Sequence, residues 1–381
     1  MRIAIDLRWI SRDTGGIRRY VLNLATNLAI IDRLNAYFLI FDGKAVAEKV
    51  MQNHGLKNRD NFYAIIFKPG PFSPLSQLLL PPLLRSRGID VFHSPDFIMP
   101  FFTGKTRVII TVHDLIPYIC PRLCARSKKV RFLRAYRFFT ALAVKRSFRV
   151  ITDSENSKRD IISVLGVKEE KIRMIYNGVE GRFSPLRERD RIESIKEKYS
   201  LSSRNILYVG RQDPSKNLEV LIRAFHRLKR EGDFEGTLVI AGKKDARYPA
   251  PYRLADEMGL KDDIIYTGYV EEEELPVLYN ACDLFVFPSL YEGFGLPPLE
   301  AMACGVPVIV SDRTSLPEVA GDAALMIDPS DVGRLAENMK KLLDDTDLRK
   351  TMVKRGIDRA ARFSLDNMAK KTLAVYEEAK A

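Results

Sequence analysis

Two carboxylates flank a glycine- and proline-rich turn in the second half of the sequence. The stretch YEGFGLPPLEAMACGVPVIVSD contains Glu292 and Glu300 and follows the apolar run LFVFPS, which predicts a buried strand. Because proline is tolerated in the first turn of a helix, the PP pair predicts a helix start, with Glu292 in the loop and Glu300 in the first turn. Two carboxylates beside one ligand can accept hydrogen bonds from several hydroxyl groups, as a sugar and a ribose present them. An acid in a first turn also favours the helix dipole, which is a purely structural interpretation of Glu300.

Two cations follow the first predicted strand of the same half. The run NILYVG predicts that strand, and the loop RQDPSKN behind it carries Arg211 and Lys216 just before a predicted helix. Cations beside the free N–H groups of a helix start form a good site for a diphosphate, although Lys216 alone also fits a solvated first turn. Gly293 and Gly295 keep the backbone between the two acids thin enough for a ligand to lie against it. Cations and acids together predict a site for a nucleotide-sugar.

A histidine and a glycine pair occupy comparable places in the first half. His113 follows the predicted strand RVIITV, at the end where parallel sheets bind ligands. It can hydrogen-bond a substrate hydroxyl or take part in proton transfer, and a structural role explains it equally well. Gly15 and Gly16 end the first loop and open the first predicted helix. Turn geometry explains them, and so does the approach of backbone N–H groups to a phosphate. The remaining histidines are interpreted as structural: His54, His93 and His226.

Strands alternate with helices along the whole chain, which predicts an α/β fold with parallel sheets wrapped by helices. We predict an N-terminal domain at residues 1–180, a polar connection at 181–200 and a C-terminal domain at 201–363, followed by a closing helical segment at 364–381. Neither half contains Gly-x-Gly-x-x-Gly or the Walker lysine pattern. Two doubly wound domains in tandem would leave a cleft between them, with ligands beyond the carboxyl ends of the strands.

The net charge of +12 comes from the first half of the chain. Residues 1–180 hold 30 Lys and Arg against 15 Asp and Glu, whereas residues 181–381 hold 31 against 34. Within the first half, residues 105–149 hold 12 basic residues and one acid. This imbalance predicts an anionic partner: a phospholipid surface, a phosphorylated acceptor or nucleic acid.

A helical wheel drawn over residues 126–139 separates basic from aromatic side chains. A solvated helix face and a membrane-contacting face explain this pattern equally well. The basic side holds Arg126, Lys129, Arg134 and Arg137, and the aromatic side holds Phe132, Tyr136 and Phe139.

The sequence predicts a cytoplasmic location. The opening MRIAIDLRWI reads as a strand rather than a secretory signal, and the longest uncharged stretch, PGPFSPLSQLLLPPLL, is too broken by proline to span a membrane. The cysteines lack the spacing of a disulfide framework or a zinc site.

Taken together, the motifs resemble the retaining glycosyltransferases of the GT-B fold, in the group whose hallmark is a Glu-x7-Glu motif. The resemblance spans almost the whole chain and is most similar to members that assemble bacterial cell-surface polysaccharides, many of them mannosyl- or rhamnosyl-transferases. The matching stretches are the GG loop, HDLIP, VITDSENSKRDI, IYNGV, VGRQDPSKN, the block from GYVEEEELPVLYNACDLFVFPS to the Glu-x7-Glu segment, and SLPEVAGDAAL.

The resemblance implies a role for each matching position. Glu300 would bind the ribose, and Glu292 would contact the donor sugar with help from the backbone of residues 294–296, which are Phe294, Gly295 and Leu296. Arg211 and Lys216 would hold the diphosphate, with the N–H groups of Gly15 and Gly16 on its other side. His113 would contact the sugar near the reacting carbon. No metal and no cofactor beyond the donor would be needed. The closing segment 364–381 would return to the N-terminal domain, as the last helix of GT-B members commonly does. Asn217 departs from the family, which often has glycine there.

The resemblance implies a transferase that uses GDP-mannose, with UDP- and dTDP-sugars as alternatives because the motifs do not read the base. The acceptor would be an anionic glycan or a polyprenyl-linked glycan, reached from the cytoplasm with the protein peripheral on the inner membrane face. A nucleotide-sugar epimerase or a sugar phosphorylase shares the architecture, but a phosphorylase would need a pyridoxal-phosphate lysine in a longer C-terminal domain. A nucleic-acid partner has only the basic first half in its favour, since no recognition module is present.

Overall fold

The computed structural model describes residues 1–11, 15–124, 133–232 and 234–380. These residues form two compact units. The first unit holds residues 1–118, 133–178 and 364–380, and the second holds residues 119–124 and 179–363.

The first unit is built on a seven-stranded parallel sheet in the order β3-β2-β1-β4-β5-β6-β7. Its strands are β1 (Arg2–Asp6), β2 (Ala36–Phe41), β3 (Phe62–Ile66), β4 (Val91–Ser94), β5 (Arg107–Thr111), β6 (Arg149–Thr152) and β7 (Ile172–Met174). Its helices up to β7 are α1 (Gly16–Ile31), α2 (Lys44–Asn53), α3 (Pro74–Ser86), α4 (Ile116–Ile119), α5 (Leu133–Arg146) and α6 (Glu155–Leu165).

The side chains of β1 alternate between two apolar cores, one on each face of this sheet. Ile3 and Ile5 belong to a core shared with α1 and α2, whereas Ala4 belongs to the core under α3, α5 and α6. A strand that is buried on both faces needs apolar residues on both, which is why Ile3, Ala4 and Ile5 form an uninterrupted apolar run between Arg2 and Asp6.

The second unit is built on a six-stranded parallel sheet in the order β10-β9-β8-β11-β12-β13. Its strands are β8 (Asn205–Val209), β9 (Thr237–Ala241), β10 (Ile264–Gly268), β11 (Leu284–Phe287), β12 (Val308–Ser311) and β13 (Leu325–Ile327). Its helices are α7 (Arg189–Tyr199), α8 (Leu218–Gly232), α9 (Ala250–Glu257), α10 (Leu275–Asn280), α11 (Leu296–Ala303), α12 (Leu316–Ala320), α13 (Val332–Asp344) and α14 (Thr346–Ala360).

The prediction of two doubly wound parallel domains is confirmed by these strand orders. In each sheet the order reverses beside the first strand, between β1 and β4 in the first unit and between β8 and β11 in the second. Such a switch point opens a crevice at the carboxyl ends of the strands. The loops that follow these strands are therefore the places to look for a site.

The chain between the two sheets is more ordered than a polar connection requires. The stretch 181–200, predicted as a linker, contains α7 and groups with the second unit. The last helix, α15 (Leu365–Glu377), groups with the first unit and places Met368, Ala369 and Tyr376 in the core beside α1. Glu378 then joins Arg149 and Arg173 at 2.6 and 2.7 Å.

The helical wheel drawn over residues 126–139 is described only in part. Arg126, Lys129 and Phe132 lie outside the described residues. In α5 Arg134 and Arg137 are exposed on the basic side, whereas on the aromatic side Tyr136 is buried and Phe139 is 45 % exposed. The choice between a solvated and a membrane-contacting face therefore stays a prediction. Among the described residues, no helix is long and apolar enough to cross a membrane.

Candidate functional site

The loop after β8 places two predicted cations at the switch point of the second sheet. Asp213 accepts a hydrogen bond from the Ser215 backbone N–H at 3.0 Å and so caps a single 3₁₀ turn that ends at Lys216. The hydroxyl of Tyr208, a buried residue of β8, donates to the Arg211 carbonyl at 2.8 Å. The Arg211 side chain itself is exposed, with its Nε 3.7 Å from Asp213. The loop is thus fixed by its backbone while the guanidinium stays accessible.

Lys216 forms a largely buried ion pair with Glu292. The Lys216 Nζ donates to the Glu292 Oε1 at 2.7 Å, and the two side chains are only 15 % and 11 % exposed. Burial opposes the charge on the ammonium, but Glu292 and Asp213 outweigh burial and raise the pKa of Lys216. The sequence predicted both residues near one ligand, and the structure adds that they bind each other across the switch point.

The loop that carries Glu292 is held by two hydroxyl side chains after β12. The Glu292 N–H donates to Thr314 Oγ1 at 3.0 Å, and Ser315 Oγ donates to the carbonyls of Glu292 and Phe294 at 3.0 and 2.8 Å. Thr314 has a φ of 55°, which is unusual for a β-branched residue. Its left-handed backbone therefore orients a hydroxyl toward the loop, at a cost of about 1–2 kcal/mol.

Gly295 has a φ of 108° and immediately precedes α11. This backbone angle is one that residues with a Cβ atom rarely adopt, and a Cβ atom there would lie 2.8 Å from Leu316 Cδ2, so that the leucine side chain would have to move. Leu296 is the first residue of α11. The predicted sugar contacts at Phe294, Gly295 and Leu296 thus lie on one rigid turn, and their roles stay predictions.

Glu300 lies in the second turn of α11, because the helix begins at Leu296. The expectation of a first-turn acid is therefore wrong, and with it the helix-dipole explanation loses its basis. Glu300 is almost completely buried, and its Oε2 accepts a hydrogen bond from the Tyr279 hydroxyl at 2.9 Å. A buried carboxylate needs such donors. The ribose contact of Glu300 remains a prediction.

The backbone conformation and the contacts of Asn217 explain why asparagine can stand where the family often has glycine. Its φ of 57° lies in the left-handed region, which glycine and asparagine adopt most readily. Its side-chain amide also donates to the carbonyls of Pro288 and Pro329 at 3.1 and 2.7 Å. The residue therefore keeps the turn that glycine would make and adds two contacts, which join the loop after β8 to those after β11 and β13.

His113, in the first unit, follows β5 and is enclosed by acceptors. Its Nδ1 lies 2.8 Å from Asp153 Oδ2, and its Nε2 lies 3.1 Å from the Pro95 carbonyl. Burial lowers the pKa of His113, but Asp153 outweighs burial and raises it. An imidazole whose two nitrogens both face acceptors is satisfied when both carry a proton. The ring also packs edge-to-face on Tyr20 at 5.0 Å.

Asp153 is in turn held by Asn177, whose Nδ2 donates to the same Oδ2 at 3.0 Å. The other oxygens of this pair, Asp153 Oδ1 and Asn177 Oδ1, are buried and have no hydrogen-bond partner among the described residues. Because buried acceptors are normally satisfied, these oxygens mark a polar spot behind His113 that a water or hydroxyl group would fill.

Gly15 and Gly16 stand at the start of α1, with residues 12–14 outside the described part of the chain. Gly15 has a φ of −108°, and a Cβ at Gly16 would meet no described atom within 4 Å. Neither a left-handed backbone at Gly15 nor close packing at Gly16 demands glycine. Their predicted approach to a phosphate stays a prediction.

Sequence reasoning missed the residues that hold the site in place. Asp153, Asn177 and Ser315 lie inside motifs that carried the family resemblance, VITDSENSKRDI, IYNGV and SLPEVAGDAAL, and membership of a motif was the available signal. Tyr279 also lies inside such a motif, in the block that begins GYVEEEELPVLY. Thr314 directly precedes SLPEVAGDAAL and offered no comparable signal, because its contact with Glu292 joins segments that meet only in the folded unit.

Comparison with known proteins places the whole chain in one group. The family Glycosyl transferases group 1 matches residues 190–359, and Glycosyltransferase Family 4 matches residues 14–181. The O-antigen chain mannosyltransferase B of Escherichia coli is 30% identical over 387 residues, which cover 99% of this chain and 100% of that one. The serotype-specific mannosyltransferase WbdA of E. coli is 34% identical over 271 residues, 69% of this chain and 32% of that one.

Solved structures share the fold at low sequence identity. A structure of Anabaena Alr3699/HepE in complex with UDP and glucose has a TM-score of 0.79 and 18% identity, covering 99% of this chain and 100% of that one. WaaG, a glycosyltransferase involved in lipopolysaccharide biosynthesis, has a TM-score of 0.72 at 16% identity, covering 98% and 99%. The predicted GT-B architecture of two Rossmann-like domains is confirmed. The chain belongs to the group 1 glycosyl transferases and is a glycosyltransferase.

Proposed function

We propose that this glycosyltransferase moves a mannosyl residue from GDP-mannose to a growing cell-surface glycan, with retention of configuration. The observation that carries the proposal is the buried Lys216–Glu292 pair at the switch point of the second sheet. Relatives named as O-antigen mannosyltransferases, from E. coli at 30% and from Salmonella typhimurium at 32% identity, support the sugar and the pathway class.

In this proposal the Lys216–Glu292 ion pair separates when the donor binds, and each residue contacts a different part of the donor. Lys216 and Arg211 take the diphosphate and stabilise its negative charge as it leaves, which is electrostatic catalysis of the transition state. Glu292 turns to the hydroxyl groups of the sugar, and Glu300 takes the ribose. The donor contacts predicted for the N–H groups of Gly15 and Gly16 and for the imidazole of His113 remain part of this proposal.

The chemical step breaks the bond between the sugar C1 and the diphosphate oxygen. A bond from the acceptor oxygen to C1 forms on the same face of the sugar, and the acceptor proton passes to the departing phosphate. Retention then requires no carboxylate nucleophile, in contrast with retaining glycosidases. The protein cations supply the positive charge that a metal supplies elsewhere, so we propose that transfer needs neither a metal nor a cofactor.

The acceptor in this proposal is an anionic or polyprenyl-linked glycan at the inner face of the cell membrane. The excess of basic residues in positions 1–180 supports an anionic acceptor and a peripheral position on an anionic membrane surface. A UDP- or dTDP-sugar donor is the second candidate, and the specific observation in its favour is the UDP bound in the Alr3699/HepE structure.

Thermal unfolding in the presence of nucleotides tests the donor. A ligand at about 100 times its Kd stabilises the folded state by about 2.7 kcal/mol, so GDP and GDP-mannose should raise the melting temperature of the chain by several degrees. UDP, dTDP, ADP and their sugar conjugates serve as matched comparisons. Stabilisation by UDP or dTDP alone would replace the donor and keep the mechanism. No response to any of the four would contradict the proposed site.

Lys216→Ala tests whether the rise in melting temperature caused by GDP arises at the proposed site. If GDP acts through the proposed site, the variant loses most of the GDP-induced shift, because the diphosphate contact is gone. Lys340→Ala, which removes an exposed cation 3.1 Å from Asp344 on α13, should keep the full shift. Mannose transfer to lipid-linked glycan acceptors, assayed with and without a chelator, then tests the sugar, the acceptor and metal independence.

A further inference from the structure

Helix α3 presents an apolar stripe to solvent. Leu80 and Leu84 pack into the core below, as expected for a helix on a sheet. On the opposite side Leu75, Leu78 and Leu79 are exposed, Leu78 to 69 %. Their i, i+3, i+4 spacing places them on one face, where a helix at the protein surface normally carries polar residues. The stripe therefore needs an explanation outside the fold of this unit.

The stripe continues through the segment between β4 and β5 to helix α5. The Gln77 side chain on α3 donates to the Met99 carbonyl at 2.9 Å and accepts from the Phe101 N–H at 3.1 Å. Phe101 in turn stacks on Phe139 of α5, with ring centroids 6.3 Å apart. These contacts make α3, this segment and α5 one continuous surface over the same core.

Two further aromatic side chains extend the surface. Phe102 is 72 % exposed and Phe138 is 62 % exposed, and Phe138 packs edge-to-face on Phe139 at 5.4 Å. Contiguous apolar surface of this kind marks an interaction site. We call the set the apolar face, and its members are Leu75, Leu78, Leu79, Phe102, Phe138 and Phe139.

The apolar face lies on elements that carry basic residues and no acids. Neither α3, α5 nor the segment 97–113 contains an Asp or Glu. Exposed basic residues on the same elements are Arg85, Lys105, Arg107, Arg134, Arg137, Lys145 and Arg146. An apolar patch whose own elements carry only positive charges matches the interface of an anionic bilayer, where acyl chains lie beneath phosphate groups.

A cavity of about 580 Å³ opens at one end of the apolar face. Its lining includes Phe102, Phe148, Arg107 and Arg146. The Arg146 guanidinium lies 5.1 Å from the Phe102 ring centroid, and that of Arg107 lies 4.9 Å from the Phe148 centroid. Stacking fixes a guanidinium without using its hydrogen-bond donors, so both groups can bind the phosphate of a lipid head group.

We propose that the apolar face of the first unit docks this protein on an anionic membrane. This inference rests on the proposed function and names the residues that would make its membrane contact. A second copy of the chain is a poorer occupant, because a symmetric contact would press the basic residues of these elements against each other. Nucleic acid is poorer too, since aliphatic leucines offer no ring to stack on bases. Vesicle binding needs no donor or acceptor, so docking can fail while the proposed chemistry holds.

Co-flotation with vesicles tests the docking surface. At about 0.15 M salt, the protein should float with vesicles of phosphatidylglycerol and phosphatidylcholine and not with phosphatidylcholine alone. Leu78→Ser with Leu79→Ser should weaken binding about tenfold or more, because two aliphatic side chains no longer enter the bilayer. Leu34→Ser is the matched control, since Leu34 is more exposed than any member of the apolar face but lies in the loop between α1 and β2.

A second pair of variants tests the charges. Arg134→Gln with Lys145→Gln should lower binding roughly tenfold or more, since each cation near an anionic surface contributes about fivefold. Lys44→Gln with Lys49→Gln removes two exposed cations from α2, on the other face of the sheet, and should change binding much less. Melting temperatures confirm that all variants fold.

Absence of flotation with anionic vesicles would overturn the proposal, as would equal losses in the test and control variants. Equal binding to neutral vesicles would overturn the role of the cations. A concentration-dependent dimer that the Leu78→Ser, Leu79→Ser variant loses, without vesicle binding by the wild type, would assign the face to a second copy.

Discussion

Both units hold a basic side chain against a buried carboxylate at the carboxyl end of a parallel sheet, but they hold it differently. In the second unit Lys216 and Glu292 are long side chains on two neighbouring loops, and they bind mainly each other. In the first unit His113 is held from two sides, by Asp153 and the Pro95 carbonyl, and Asp153 is backed by Asn177. The same topology thus builds one ion pair that a ligand can separate and one imidazole that is held in place by its acceptors.

The difference has an electrostatic consequence. A diphosphate that approaches Lys216 can replace Glu292 as the partner of the ammonium and release the carboxylate to other donors. No such exchange is open to His113, because its acceptors are a carboxylate anchored by an amide and a backbone carbonyl. We therefore expect substitutions in the second unit to affect the chemical step most.

The largest effect is expected from breaking the pair in the second unit. Lys216→Ala should lower kcat/KM about 100- to 1,000-fold, because a preorganised cation no longer stabilises the leaving diphosphate. Glu292→Ala should abolish detectable transfer while the protein stays folded. Steady-state kinetics, with the donor that the thermal unfolding experiment selects, measure both, and Lys340→Ala is the control.

The double variant Lys216→Ala, Glu292→Ala decides whether the pair is catalytic or structural. If both residues contact the donor, the double variant is at least as inactive as either single one. Recovery of activity in the double variant would instead mean that the pair serves only to neutralise a buried charge.

A smaller loss of activity is expected when the carboxylate that holds His113 in the first unit is replaced. Asp153→Asn should lower kcat/KM about 10- to 100-fold, since the imidazole loses its orientation and its positive charge. NMR titration of the His113 ring should show its pKa falling, because burial then acts without the opposing carboxylate. Glu155→Gln, an acid two residues away on α6, is the matched control. An unchanged His113 pKa in Asp153→Asn would show that the carboxylate does not hold the proton.

His113 and His93 should make the stability of the first unit depend on pH in opposite directions. The pKa of His113 is raised in the folded state, so its stabilising effect is complete below about pH 6.5 and is lost as pH rises through the raised value. Burial and the charge of His113 lower the pKa of His93 to about 3, so stability also falls as pH drops below about 6.5.

Urea unfolding as a function of pH measures both limbs. Asp153→Asn should flatten the alkaline limb, and His93→Gln should reduce the slope between about pH 6.5 and 4.5, where few carboxylates titrate. Equal slopes in the variants and the wild type would place the pH dependence in other groups.

The smallest effect is expected from Asn217→Gly. Glycine keeps the left-handed turn but loses the bonds to Pro288 and Pro329, so the free energy of unfolding should fall by about 1 kcal/mol and kcat/KM by a few-fold. Asn217→Ala should cost about 1–2 kcal/mol more, because alanine is strained at this φ. If the two variants are equally stable, the turn does not require its left-handed backbone.

Much of the fold followed from local pattern. Strands such as RIAID and NILYV have uninterrupted apolar centres because a parallel strand is covered on both faces, and their alternation with helices leaves few other architectures. The loops after β8 and β11 could be singled out because ligands meet parallel sheets at strand ends. The exposure of Phe139 and the presence of helix α7 in the expected linker could not be predicted in this way, since both depend on what lies beneath them.

The sequence alone determined the residue types of the site: two acids eight positions apart, two cations after a strand, a histidine after another and glycines where a backbone must be thin. Only the tertiary structure decided their partners. Lys216 meets Glu292, Asp153 meets His113 and Thr314 meets the Glu292 backbone across separations of 76, 40 and 22 residues. Local pattern reflects periodicity and burial over a few residues, whereas these contacts arise when strands distant in sequence become neighbours in a sheet.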